Sequence, residues 1–292
     1  LSVTAQAATA PRWQQALNPP VYLVSVLPGL GVPLLAQAGV ANGTGLALAT
    51  LAVVLLQHAI NLFNDAADWR LGADVEKLDS WVRVHGESPR IAVWHGAASL
   101  LLGGLIGLGV LWHQSQSWIL WFALPLVGLG YLYNAGSRPL SYTHLGEWVT
   151  GICYGPGVFG GLWLVAGLAP DARMLAGMLA FAALAVALLL SHQPPQVATD
   201  REAGKLSFAV RFGVHRTRQV ARALFGIFLL AVGVALLPAL AGPLPWLIGA
   251  LGALLALWLF RGGINPKRLL LAASAFVVVG LLITAPGLRG LA

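Results

Sequence analysis

Residues 44–74 read TGLALATLAVVLLQHAINLFNDAADWRLGAD. The first twenty form a continuous apolar run without alternation, the pattern of a helix crossing hydrocarbon rather than of a barrel strand. Two Asn and three Asp then arrive within fourteen residues: Asn61, Asn64, Asp65, Asp68 and Asp74. The whole chain carries only ten acidic residues. Ionisable groups near a membrane interior are costly and usually functional, so this cluster is a candidate site as well as the end of a span.

Working outward, the 292 residues are 58% hydrophobic and only 9% charged, with a mean hydropathy of +0.79. A water-soluble domain carries roughly a quarter charged residues. The chain is therefore expected to be an all-α membrane protein, a single domain over residues 1–292 built as a nine-transmembrane-helix bundle. The spans are expected at about 20–39, 44–63, 91–112, 117–133, 147–168, 172–192, 218–240, 244–260 and 268–286. Short loops rich in Lys and Arg stay cytoplasmic. With the N-terminus cytoplasmic, only Arg173 and Arg289 of 17 basic residues fall outside. This places the protein in the cell's inner (cytoplasmic) membrane as a multi-pass protein.

The net charge of +7 is what such a topology leaves behind, with membrane lipids as neighbours; it gives no reason to expect nucleic acid. The single Cys153 permits no internal disulfide and makes no metal-ligand pattern. The opening LSVTAQAATA lacks a basic start and an apolar core and is not read as a signal peptide.

The outer connections are short, whereas about 25 residues follow each of spans 2 and 6, and these two inner loops carry most of the charge. The first motif loop covers about 61–90 and the second about 192–217. Their equivalent placement in two four-span units hints at an internal duplication, and membrane proteins often build a site between such halves.

In the first loop, Asn61, Asn64 and Asp68 share one helix face, with Asp65 turned about 100° away and Asp74 beyond Gly72. Mg²⁺ is typically held by one or two carboxylates together with substrate phosphates, and Asn64, Asp65, Asp68 and Asp74 suit half of such a site. In the second, HQPPQVATDREAGKLSFAVRFG from His192 to Gly213, the residues His192, Gln196 and Asp200 recur every fourth position. Arg201, Lys205 and Arg211 follow, cations suited to phosphate oxygens. Pro194 and Pro195 should break the helix where it meets water. The two halves together imply a cytoplasm-facing cavity with one or two Mg²⁺, a diphosphate clamp and apolar walls. A metal-neutralised diphosphate is a good leaving group, so ionisation of an allylic diphosphate and capture by an electron-rich acceptor is the natural reaction. A transporter or binder of amphipathic anions would use the same cavity.

Asn64-Asp65-x-x-Asp68, with Asn61 before it and Asp74 after, resembles the first aspartate-rich motif of the UbiA superfamily of intramembrane prenyltransferases. Asp200-Arg-Glu-Ala-Gly-Lys205-Leu-Ser-Phe-Ala-Val-Arg211-Phe-Gly213 is similar to the second motif and its trailing signature. RVHGESPRIAVWHGA and GSRPLSYTHLGEW look most like the branch that prenylates 1,4-dihydroxy-2-naphthoate in menaquinone synthesis. The resemblance implies a nine-span fold, Mg²⁺, a polyprenyl diphosphate donor, an aromatic acceptor and a demethylmenaquinone product; another quinone precursor or a tetrapyrrole is the alternative acceptor. It also implies roles for Asp68 and Asp200 at metal and diphosphate. One departure is Gln196, where the second motif usually has Asp. It implies a weaker or absent second metal position, a different ligand such as His192, or a shifted substrate.

Lys77 and Arg83 are candidates for contact with the diphosphate or an acceptor carboxylate. Arg138, Asn61, His192 and Gln193 join them as substrate-binding candidates. Tyr142, His144 and Glu147 are candidates for binding or deprotonating the acceptor hydroxyl. His58 reads as an interhelical hydrogen-bonder, and the Trp residues near span ends as an aromatic belt.

Overall fold

The computed structural model describes residues 13–37, 39–73, 77, 79–240 and 242–284; Asp74, like Arg12 and Arg289, lies outside them. The long helices are α1 Leu23–Ala36, α2 Gly43–Leu71, α3 Pro89–His113, α4 Leu120–Asn134, α5 Gly146–Val165, α6 Ala172–His192, α7 Val214–Leu236, α8 Leu244–Arg261 and α9 Pro266–Thr284. Among the described residues eight segments are long and apolar enough to cross a membrane. The exception is α4, whose 15 residues rise about 22 Å; the 3₁₀ turn Ser117–Ile119 ahead of it adds about 6 Å.

Helices occupy the expected stretches with shifts of a few residues at most ends, and with one larger difference. α2 continues through Leu71, past the expected end of the span at 63, so Asn61, Asn64 and Asp68 lie on one helix face as expected, with Asp65 on the same helix. Its 29 residues are about 43 Å long against a hydrocarbon core of about 30 Å, which leaves over two turns beyond the lipid. The Asn42 side chain caps the start by accepting from the Gly45 N–H at 2.8 Å. Gly72, at φ +82°, ends it in the left-handed conformation a Cβ would disfavour.

The most extensive contacts pair α2 with α3 and α6 with α7, and α5 packs on α6. The middle of α5, Cys153–Gly160, is wound as a π-helix. Pro156 removes an amide donor there, and Gly155 sits so close to α6 that a Cβ would be 2.5 Å from the Met178 carbonyl oxygen. Small residues at such crossings let helix backbones approach where lipid supplies no hydrophobic drive. The bundle centre is aromatic: Phe159 stacks on Phe181 at 5.1 Å, and Phe181 and Phe276 meet Phe228 edge-on.

α6 ends at His192, and Pro194–Gln196 turns as a 3₁₀ helix before the short helix Val197–Glu202. The double proline thus breaks the rod at the expected place. It turns the second motif toward the projecting end of α2.

Candidate functional site

The ends of α2 and α6 enclose a cavity of about 910 Å³. Asp68 is its focus, 1% exposed. Its Oδ2 accepts from Asn64 Nδ2 at 2.8 Å, its Oδ1 accepts from the Tyr142 hydroxyl at 2.8 Å, and Lys205 Nζ contacts both oxygens at 3.2–3.3 Å. Three segments far apart in sequence therefore meet on one carboxylate. Lys205 also stands 5.1 Å from the centre of the Tyr142 ring, and the Leu206 N–H donates to the Tyr142 carbonyl at 3.0 Å. Asp65 is held separately, by the Trp81 N–H at 2.7 Å and Lys77 Nζ at 3.2 Å.

Of the sequence-derived candidates, Asn61, Asn64, Asp65, Asp68, Lys77, Glu147, His192, Gln193, Gln196, Asp200 and Lys205 line this cavity. Tyr142 reaches it through Asp68. Arg83, Arg138, Arg201 and Arg211 do not line it. Arg138 and Arg201 are exposed, and Arg83 stacks 5.2 Å above the Trp69 ring while pairing with Glu87.

Arg211 and Glu147 belong to a tie that holds the second loop. Glu147 Oε2 accepts from Arg211 Nη2 at 2.8 Å, and Oε1 accepts from the Phe208 N–H at 2.9 Å and Gln193 Nε2 at 3.3 Å. Gln193 Oε1 in turn accepts from the Ala209 N–H at 3.0 Å. Glu147 thus lines the cavity with both oxygens engaged in positioning the segment that carries Ser207 to Phe212.

Several cavity residues were not among the sequence-derived candidates. Gln15 and Asn18 come from the N-terminal segment, whose Trp13 packs edge-on against Trp81 at 5.9 Å. Ser141 and Ser207 line the cavity with buried hydroxyls lacking a hydrogen-bond partner. Ser207 lies inside the second motif, so its position was a usable signal. Tyr133 enters from the end of α4, where the sequence offers only an apolar run.

Among the described residues Asp65, Asp68, Asp79, Asp200, Glu147 and Glu202 line the cavity against the ammonium groups of Lys77 and Lys205. Carboxyl groups thus outnumber ammonium groups three to one. Such a wall repels a bare diphosphate and receives one accompanied by divalent cations. No three acidic or imidazole side chains among the described residues cluster tightly enough to cage a metal alone. Mg²⁺ is a hard cation that completes its shell with phosphate oxygens and water, and the oxygen donors of Asn64, Asp68 and Asp200 on this wall fit it.

The profile of the UbiA prenyltransferase family matches residues 23–282. A 1,4-dihydroxy-2-naphthoate octaprenyltransferase of Mycobacterium tuberculosis is 31% identical over 257 residues, 86% of this chain and 85% of its own length. A 2-carboxy-1,4-naphthoquinone phytyltransferase of Synechocystis is 32% identical over 222 residues, 73% of this chain and 70% of its own. Among solved structures, a UbiA homologue from Archaeoglobus fulgidus bound to DMAPP and Mg²⁺ superposes with a TM-score of 0.64 at 18% identity. The match covers 93% of this chain and 98% of that one.

Proposed function

This chain belongs to the UbiA prenyltransferase family, and from that premise we propose that it transfers a polyprenyl group from an allylic polyprenyl diphosphate to 1,4-dihydroxy-2-naphthoate. The acceptor loses its carboxylate and the product is demethylmenaquinone. The observation that carries this reading is Asp68, where the two motif halves join through Lys205 on the wall of a carboxyl-rich cavity. The acceptor assignment is supported by relatives named for naphthoate prenylation. Their names specify octaprenyl and phytyl donors, so the donor here is given only as polyprenyl.

Asn64, Asp65, Asp68 and Asp200, with Asp74, are the proposed ligands for one or two Mg²⁺ ions. Bound Mg²⁺ would neutralise the diphosphate and make it a better leaving group. Lys205 and Lys77 face the same space and take up oxygens of the diphosphate, with His192 and Gln196 beside them. Tyr142 holds Asp68 in place, and the tie through Glu147, Gln193 and Arg211 fixes the second loop that carries Lys205. Arg83, Arg138 and Arg201, away from the cavity wall, are proposed to meet the substrates only at its mouth.

The chain is further proposed to be one domain with nine spans, α4 included, in the cytoplasmic membrane with the N-terminus inside. The test is incubation of purified protein with dihydroxynaphthoate, radiolabelled polyprenyl diphosphate and Mg²⁺. Prenylated naphthoate and released pyrophosphate are expected, with activity lost in Asp68→Ala. Absence of product, or equal product from that variant, would sink the proposal, and uptake without cleavage would favour a carrier.

A further inference from the structure

Beside the cavity and apart from the aspartate-rich positions of both motifs, four side chains, among them His85 and His95 of the stretch RVHGESPRIAVWHGA, make one continuous hydrogen-bonded chain. The Tyr22 hydroxyl is 2.6 Å from His58 Nδ1, His58 Nε2 is 3.3 Å from His95 Nε2, and His95 Nδ1 is 3.1 Å from His85 Nε2. The members come from the turn before α1, from α2, from α3 and from the loop between them. Trp81, 1% exposed, packs edge-on to His58 and His95 and stacks on His85. At the inner end Val21, next to Tyr22 in the chain, Asn61, one turn along α2 from His58, and Trp81, which packs on all three imidazoles, line the cavity. At the outer end His85 is partly exposed in the loop after the short helix Trp81–Val84.

Interhelical fastening needs one or two such bonds, not four groups in series. Nor do the three imidazoles share a metal, because His95 turns opposite nitrogens to its two neighbours. What the order of atoms does allow is a relay. A neutral imidazole donates from one nitrogen and accepts at the other, so the chain is fully bonded whether every proton points outward or inward. The two states differ by the passage of one proton along the whole chain. The charged group felt at Tyr22 is Asp65, itself held by Lys77 and Trp81. On the outer loop the adjacent charges are the paired Arg83 and Glu87, and the electrostatic neighbours of His58 and His95 are one another and His85.

We propose that Tyr22, His58, His95 and His85 form a proton relay that takes up and returns a hydroxyl proton of the aromatic acceptor. The proposal rests on the prenyltransferase reading above. Ionising the hydroxyl makes the ring a stronger nucleophile. The acceptor O–H bond breaks and its proton passes to the Tyr22 oxygen as Tyr22 gives its own to His58 Nδ1. His58 passes its Nε2 proton to His95 Nε2, His95 its Nδ1 proton to His85 Nε2, and His85 its Nδ1 proton to water. Each relay group ends neutral, with the imidazoles in the opposite tautomer. The ring carbon that bears the carboxylate then bonds to the prenyl carbon as the carbon–diphosphate bond breaks, carbon dioxide leaves with its bonding pair returned to the ring, and the reverse run returns the proton to the product oxygen. No net proton is consumed.

The test measures kcat, KM for both substrates and the solvent deuterium effect in wild type, Tyr22→Phe and His85→Ala. Tyr22→Phe keeps the ring and removes the shuttling hydroxyl, and a loss of about 100-fold in kcat is expected, with KM for the polyprenyl diphosphate unchanged. His85→Ala is expected to lose kcat and the solvent deuterium effect on it, and to regain rate with added imidazole. Wild-type protein that makes no prenylated naphthoate overturns the function and the relay together. Product formation in the wild type, matched in rate and pH profile by both variants, overturns the relay alone. So does a slow His85→Ala variant that imidazole leaves slow.

Discussion

Asp68 and Gln196 show how much a single side chain can carry on this wall. Asp68 spends both oxygens on partners from three segments, so its loss removes a proposed ligand and unties Lys205 at once. Gln196 lies one turn before Asp200 on the cavity wall, where an Asp would add charge on a side chain one methylene shorter. Gln196→Asp is expected to lower the Mg²⁺ concentration that gives half-maximal activity, measured by Mg²⁺ titration at saturating diphosphate. An unchanged or higher half-maximal Mg²⁺ concentration would mean that this position does not face the metal. Glu147 answers a different question. The sequence suggested an acceptor-directed acid or base, whereas the structure gives its oxygens to Phe208, Gln193 and Arg211. Glu147→Ala should therefore cost about 2–3 kcal/mol of stability, because it strands a charged partner and a backbone donor. It should raise KM for the diphosphate without moving the pH profile. Loss of a pH limb with unchanged melting would restore the catalytic role.

The helices show which parts of the fold are legible in the residues and which depend on partners. The apolar runs and the break at Pro194–Pro195 follow from local chemistry and are found at the expected positions, whereas α2 stops at Gly72 and not at the expected 63. The π-helical stretch of α5 was not legible. Pro156 only weakens an α-helix, and the wider winding depends on how closely α6 approaches Gly155, a contact between residues more than twenty apart. The lodging of Asp65 beneath Trp81 and Lys77 was hidden for the same reason. The start of α6 is found where the sequence places it, and its signal is local. Asp171 caps that helix by accepting from the Met174 N–H at 2.9 Å, and Arg173 pairs with it while donating to the Ala36 carbonyl at the end of α1. A cation on the outer face thus has a structural task. Partial burial alone would raise the Asp171 carboxyl, but the Met174 N–H and Arg173 outweigh it and hold it below the usual carboxylate range. A depressed folded value means that the contribution is complete above the unfolded value and disappears as pH falls through the folded one. Asp171→Ala is expected to lower stability by about 1 kcal/mol at neutral pH. The difference from wild type should vanish in strong acid, as followed by thermal melting in detergent.

At the scale of the molecule, the two acidic segments lie about 130 residues apart in sequence, yet their helices end together. That is how a chain with ten acids can concentrate six carboxyl groups around one cavity. The motif types were readable because each is local; the rest of the cavity wall, Tyr133 and the segment around Gln15, was not, because such residues carry no mark of what they will face. The count of crossings turns on α4, short by itself and long enough only with its 3₁₀ lead-in. If it crosses, Ser115 and Ser137, both exposed and on either side of it, must lie on opposite faces of the membrane. In a Cys153→Ala background, Ser115→Cys should react with an impermeant maleimide in intact cells, and Ser137→Cys only after permeabilisation. Reaction of both from the outside would leave α4 re-entrant and reverse the sidedness of everything after it. The second motif would then face away from the first, an arrangement irreconcilable with the Lys205–Asp68 contact at 3.2 Å.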